Sequence, residues 1–188
     1  QMIMLSATID NPEGFAKWCE NSGDKEVYLC STNHRVVPLH HYGFFTTVEG
    51  LYKELNKETE QKVKKNINKL IPLQNEKNNF QEDGFNLLRD LTTLHKEKRV
   101  YIKTQHVLNK LITFLRNDNK LPAICFVFSR KRVEAFAQMI NISLISEEDE
   151  PFNVAKECER IMRRLPNFKE YMELPEYVSL VSLLEKGI

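Results

Sequence analysis

Apolar residues along the chain come in two textures. Toward both ends, short continuous apolar runs alternate with helical periodicity; between them lies a stretch where polar residues dominate. Residues 2–8 (Met-Ile-Met-Leu-Ser-Ala-Thr) form an apolar run ending in two hydroxyl residues around an alanine. This predicts a buried strand that exits at the carboxyl edge of a sheet, where open α/β sheets place their ligands. Asn11 then reads as an N-cap, with Pro12 at the first helical position and Glu13 in the first turn. Phe15, Ala16, Trp18 and Cys19 supply an apolar face before Asn21, Ser22, Gly23 and Asp24 break the helix. Residues 27–30 read as a second short strand. Strand, helix and strand at this spacing predict a parallel crossover unit.

Residues 32–45 are extended and apolar, but Pro38 bars them from an unbroken central ladder, so they cross a sheet edge or bridge two lobes. Residues 50–100 are rich in Lys, Glu, Asn and Gln, with Pro72 and Gly84 as interruptions. Three helical patterns run through them: Leu51, Tyr52 and Leu55; Val63, Ile67, Leu70 and Ile71; then Phe85, Leu87, Leu88, Leu91 and Leu94. The reading is a polar helical insertion around a mobile centre near residues 74–83. Regularity returns at Thr104, where Val107, Leu108, Leu111, Ile112 and Leu115 mark one helix face ending at Asn117-Asp118-Asn119. Residues 121–128 form a continuous apolar run, the pattern of a strand buried on both faces. Ser129 starts the next helix, with Val133, Phe136, Ala137 and Ile140 inward. Residues 150–186 read as helical, punctuated by Pro166 and Pro175.

Composition narrows the classes. Of 188 residues, 41% are apolar and 28% charged, which suits an ordinary globular chain. No apolar run approaches the roughly 20 residues needed to span a bilayer, so no membrane association is expected. The net charge of +1 gives no global drive toward polyanions, so any nucleic-acid contact must come from local clusters. Cys19, Cys30, Cys125 and Cys158 lack the close spacing of a zinc or redox pair. They are expected to be reduced, mostly buried thiols of an intracellular protein, nuclear or cytoplasmic. The sequence opens at Gln1 without a leader pattern, as expected of a piece of something longer. No metal site is expected: His40 and His41 are adjacent on an extended segment and point to opposite faces. Glu147, Glu148, Asp149 and Glu150 read as a solvated helix start, Lys62, Lys64 and Lys65 as an exposed helix face, and Arg163 and Arg164 as surface.

Three stretches carry a resemblance. Ser6-Ala7-Thr8, continued by Ile9-Asp10-Asn11 and Phe15-Ala16-Lys17-Trp18, resembles the Ser-Ala-Thr motif of superfamily-two helicases, in the version of superkiller-type DExH-box RNA helicases. Arg35-Val36-Val37-Pro38-Leu39-His40-His41-Tyr42 resembles that family's Arg-Pro-Val-Pro-Leu-x-His-Tyr stretch, with Val36 where the family usually has Pro. Phe126-Val127-Phe128-Ser129-Arg130 resembles its Phe-x-Phe-Ser-Arg motif, and Gly187-Ile188 stands where its Gly-Ile-x-x-His-His-Ser-Gly stretch begins. The resemblance covers both ends well and residues 50–100 poorly.

The resemblance implies an α/β architecture made of parts of two RecA-like parallel-sheet domains with a polar helical insertion. Residues 1–33 would end the first domain, 34–48 would be an extended linker, and 49–188 would begin the second, with the insertion at about 50–100. Ser6, Ala7 and Thr8 would couple the nucleotide site to the nucleic-acid groove, since small hydroxyls can exchange hydrogen bonds between two states. Ser129 and Arg130 would seat a backbone phosphate, although Ser129 also reads as a plain N-cap. Arg35 and Pro38 would serve the hinge. ATP and magnesium would be bound mostly by residues elsewhere in the protein, because these 188 residues hold no Gly-x-x-x-x-Gly-Lys-Ser/Thr loop, no Asp-Glu-x-His and no Gln-x-x-Gly-Arg-x-Gly-Arg segment. No catalytic residue is therefore expected here, and the piece alone should be inactive. The implied activity is ATP-dependent, 3′–5′ translocation on single-stranded RNA with unwinding of duplexes, in RNA processing or decay. Partners would be single-stranded or structured RNA and a multi-subunit RNA-processing complex. A helicase-related DNA repair or meiotic enzyme and a non-catalytic α/β interaction module are the alternatives.

Overall fold

The helix expected after Asn11 forms over Pro12–Gly23 (α1). The Asn11 side chain accepts from the Gly14 N–H at 2.9 Å and its carbonyl from Phe15 N–H at 3.1 Å, so the cap is the one its sequence predicts. The helix runs through Asn21 and Ser22 rather than breaking there. The strands expected on either side do not form among the described residues; of the run 2–8, residues 2, 7 and 8 lie outside them. Residues 3–6 and 26–32 are irregular, and Ile3, Leu5 and Tyr28 are 79%, 94% and 86% exposed. An apolar run becomes a strand only where neighbours receive its backbone N–H and C=O groups. Neither segment joins the strand ladder that the described residues form. The computed structural model describes residues 3–6, 9–23, 25–32, 36–145 and 147–188. These fall into two units, Gln1–Leu39 and His40–Ile188.

The core of the second unit lies where the sequence looked most polar. His41–Phe45 (β1) pairs antiparallel with Lys69–Gln74 (β2), Gly43 facing Ile71 and Phe44 facing Leu70. Against this hairpin pack Glu49–Tyr52 (α2), Lys57–Asn66 (α3) and Glu82–Glu97 (α4). Leu51, Val63, Ile71 and Leu91 are buried at their centre, with Phe45, Leu55, Ile67 and Leu88 around them. Each fully buried aliphatic side chain contributes about 1.5–3 kcal/mol. The third apolar pattern is α4 as expected, but the second is only half helical. Val63 lies in the last turn of α3 and Ile67 is its C-cap, whereas Leu70 and Ile71 belong to β2. Asn68 makes the switch: in the left-handed region (φ 54°), it donates its N–H to the Phe45 carbonyl at 2.8 Å and accepts from the Thr46 hydroxyl at 2.7 Å. Residues 74–83, expected to be a mobile centre, fold over a hydrogen-bonded turn. The Asn75 side chain accepts from the Lys77 and Asn79 N–H groups, and Gln81 N–H bonds the Leu73 carbonyl at 2.8 Å.

His95 sits in this core, 9% exposed, with its ring meeting Phe45 edge-on at 4.9 Å. Its Nε2 has no hydrogen-bond partner among the described residues, and burial holds the imidazole pKa below its ordinary 6.5. The neutral ring is the folded form, so as pH falls the unfolded chain takes up the proton first. The His95 contribution is complete above the unfolded pKa and is lost as pH drops through the folded one. Urea midpoints should therefore rise as pH increases up to and past the unfolded value of about 6.5, and His95→Phe should flatten that dependence.

Beyond α4 the helix expected from Thr104 forms over Thr104–Asn117 (α5), and Ser129 is the N-cap of Arg130–Gln138 (α6). The segment between them corrects the sequence reading. Residues 121–128 are not a buried strand: Ile124, Phe126 and Phe128 are 82%, 81% and 104% exposed, and β1–β2 is the sheet the described residues form. The C-terminal helices form as expected over Glu150–Met162 (α7), Phe168–Met172 (α8) and Pro175–Leu184 (α9). Pro151 and Pro175 stand at their starts, where the missing N–H costs nothing. None of the four cysteines is in a disulfide, but Cys30 and Cys125 are exposed rather than buried. Both lie on the segments expected to be strands, so their exposure has the same cause. No helix among the described residues is long and apolar enough to cross a membrane.

Candidate nucleic-acid interface

Of the residues singled out by the sequence, Ser129 and Arg130 have the clearest setting. Ser129 has extended backbone (φ −153°, ψ 117°), and its carbonyl accepts from Arg132 and Val133 N–H at 3.0 and 3.1 Å. Its hydroxyl does not cap the helix. The plain N-cap role is therefore unfilled, and Oγ is left at the mouth of a helix whose first N–H groups point outward. Arg130, Lys131 and Arg132 occupy the first turn, all exposed, and none forms an ion pair among the described residues. Three cations at the positive end of a helix repel its dipole, an arrangement that an incoming anion would relieve.

The aim of α6 is fixed from its far end. Asn109 on α5 donates its amide to the Met139 carbonyl at 2.9 Å and accepts from Asn141 N–H at 2.9 Å, while also bonding the Gln105 carbonyl at 2.8 Å. Gln138 reaches Ser179 on α9 at 3.2 Å. The sequence reading passed over Asn109. Its signal was present as a lone amide among the apolar positions 107, 108, 111 and 112 of one helix face.

The remaining motif positions lie in the first unit. Ser6 is exposed on the irregular segment 3–6, and Pro38 is exposed just before β1. Ala7, Thr8 and Arg35 lie outside the described residues. The lysines of α3 behave as surface: Lys62 pairs with Asp90 at 3.7 Å, and Lys64 pairs with Glu60 while lying over the Tyr52 ring. Arg163 pairs with Glu159 and covers Phe168. His40 approaches Glu76 at 3.7 Å, but no group of three or more metal-ligating side chains occurs among the described residues. Glu150 opens α7 with Asp149 before it, both exposed, as a solvated acidic start should be.

No family model matches the chain. It is similar to the DExH-box ATP-dependent RNA helicase DExH9 of Arabidopsis thaliana, with 27% identity over 192 residues covering 100% of this chain and 18% of the relative. Exosome RNA helicase MTR4 of Mus musculus is 28% identical over 200 residues, covering 99% of this chain and 17% of the relative. Antiviral helicase SKI2 of Saccharomyces cerevisiae is 26% identical over 246 residues, covering 100% and 17%. Over its whole length the chain thus resembles superkiller-type DExH-box RNA helicases. It spans less than a fifth of the length of these relatives.

Proposed function

We propose that this chain, similar from end to end to a segment of superkiller-type DExH-box RNA helicases, is part of an ATP-dependent motor that moves 3′–5′ on single-stranded RNA and unwinds duplexes. The whole-length similarity to helicases of three organisms carries this reading. In it, residues 1–33 end one RecA-like domain, 34–48 link, and 49–188 begin the second. The exposed Ile124, Phe126 and Phe128, and the bare Ile3, Met4 and Leu5, support it. Apolar segments of this kind are suited to strands flanked by others in a larger sheet.

The chain's share of the work is grip and relay. The Ser129 hydroxyl and the first N–H groups of α6 seat one RNA phosphate, and the Arg130 guanidinium adds a charge-assisted contact without reading the base. Ser6 and Thr8 pass relative movement of the two lobes to the RNA groove, and Arg35 and Pro38 set the hinge. ATP and magnesium would be held mostly by residues elsewhere in the protein, since the phosphate loop and acidic motif are missing from these 188 residues. Hydrolysis belongs to residues outside these 188, and the chain alone is inactive. The similarity to MTR4, an exosome RNA helicase, favours an RNA-processing complex as partner. Replacing Arg130 by alanine should weaken single-stranded RNA binding by about 1–3 kcal/mol in a fluorescence anisotropy titration. Unchanged affinity would remove Arg130 from the grip, and equal affinity for single-stranded DNA would move the reading toward a DNA repair enzyme.

A further inference from the structure

Between α4 and α5 the chain breaks two local rules within five residues, both times with a cation. The end of α4 is a Schellman turn: Val100 N–H bonds the His95 carbonyl and Arg99 N–H bonds the Lys96 carbonyl, each at 3.1 Å, while Val100 packs on the core. Such a turn holds one residue in the left-handed region, where Gly or Asn belongs. Here it is Arg99, with φ 51°. The other left-handed non-glycine residues among those described are all asparagine: Asn68, Asn78 and Asn119. Asn119 closes α5 with the same hydrogen-bond pattern, so this fold already uses asparagine for the same turn. Four residues on, Lys103 is the N-cap of α5, where its side chain cannot accept from the helix and its charge opposes the dipole.

The helix dipole explains Lys96 and Lys98 at the negative end of α4, but not Arg99 in a strained conformation or Lys103 at the wrong end of α5. Between the two violations stands Tyr101, 80% exposed. Lys96, Lys98, Arg99 and Lys103 are all exposed, and none forms an ion pair among the described residues; Glu97 is the one acidic residue in the stretch. Cations that follow a polyanion and an aromatic face on which an unpaired base can stack are the two parts of a single-strand binding surface.

We propose that residues 96–103 form a second contact for single-stranded RNA, separate from Ser129 and Arg130. Lys96, Arg99 and Lys103 hold successive phosphates and Tyr101 stacks a base. This rests on the RNA-helicase reading, and the test separates the two. The full chain is titrated into a fluorescein-labelled oligouridine in a series of salt concentrations. Arg99→Asn keeps a residue that suits the left-handed turn, so it should fold with an unchanged or raised Tm. It should also lower the slope of log affinity against log salt by about 0.7, the share of one single-strand phosphate. Tyr101→Ser should cost about tenfold in affinity with little change in that slope. If Arg99→Asn and Tyr101→Ser both bind as the unsubstituted chain does while Arg130→Ala binds less, the second contact falls and the helicase reading stands. Duplex RNA bound as tightly as the single strand, with Tyr101→Ser silent, would leave only a non-selective cationic patch and overturn the single-strand assignment. Absence of salt-dependent binding by the unsubstituted chain would overturn both.

Discussion

Replacing Leu51 by alanine should destabilise the 40–188 unit by about 3 kcal/mol or more, the usual cost of emptying a fully buried leucine site. Leu51 is 0% exposed and sits where α2, α3 and the hairpin converge, beside Val63, Ile71 and Leu91. With so few buried apolar residues in the unit, neighbours cannot collapse into the space without disturbing the rest. Phe128→Ala is the control: its ring is 104% exposed, so its loss should fall within about 0.5 kcal/mol of the unsubstituted chain. Chemical denaturation followed by circular dichroism measures both. If residues 50–100 were a dispensable appendage, Leu51→Ala would be as mild as Phe128→Ala.

The second large effect is expected at Gly84, in the first turn of α4. A Cβ built there would stand 1.9 Å from the Pro72 carbonyl oxygen of β2. That oxygen belongs to the backbone of a paired strand, so α4 or β2 must move as a whole. Gly84→Ala should therefore cost about 3 kcal/mol, at the upper end of overpacking penalties, and should lower the cooperativity of unfolding. Gly43 makes the comparison instructive. Its added Cβ would meet Leu88 Cδ1 at 2.1 Å, the far end of a side chain with other rotamers, so Gly43→Ala should cost clearly less.

Several helices were readable because they carried their own start signals. Asn11 before Pro12 and the prolines of α7 and α9 are local statements that local structure obeys, and α6 begins after Ser129 even though the serine hydroxyl makes no cap bond. The strands were not readable for the opposite reason. A strand needs a pairing partner, and the described residues of the runs 27–30 and 121–128 join no ladder, whereas the short His41–Phe45 found one in Lys69–Gln74. Leu70 and Ile71 match a helical spacing as well as a strand, and only the left-handed turn at Asn68 decides between them. Polar composition also hid the core: one stripe of Leu51, Val63, Ile71 and Leu91 suffices when Lys and Glu cover the outer faces. Of the candidate site, the Ser129–Arg130 start was legible from its motif, while Asn109, which aims it, leaves one amide in the sequence and no pattern.

That amide has a mechanical consequence. If Ser129 seats an RNA phosphate as proposed, a pull on that strand would load α6, whose rear is tied to α5 by both ends of the Asn109 side chain. From α5, the His106 ring meets the Thr47 carbonyl at 3.0 Å, just past the end of β1. Tension would thus run through two side chains from the RNA to the end of β1, and α6 would act as a stiff pawl rather than a loose finger.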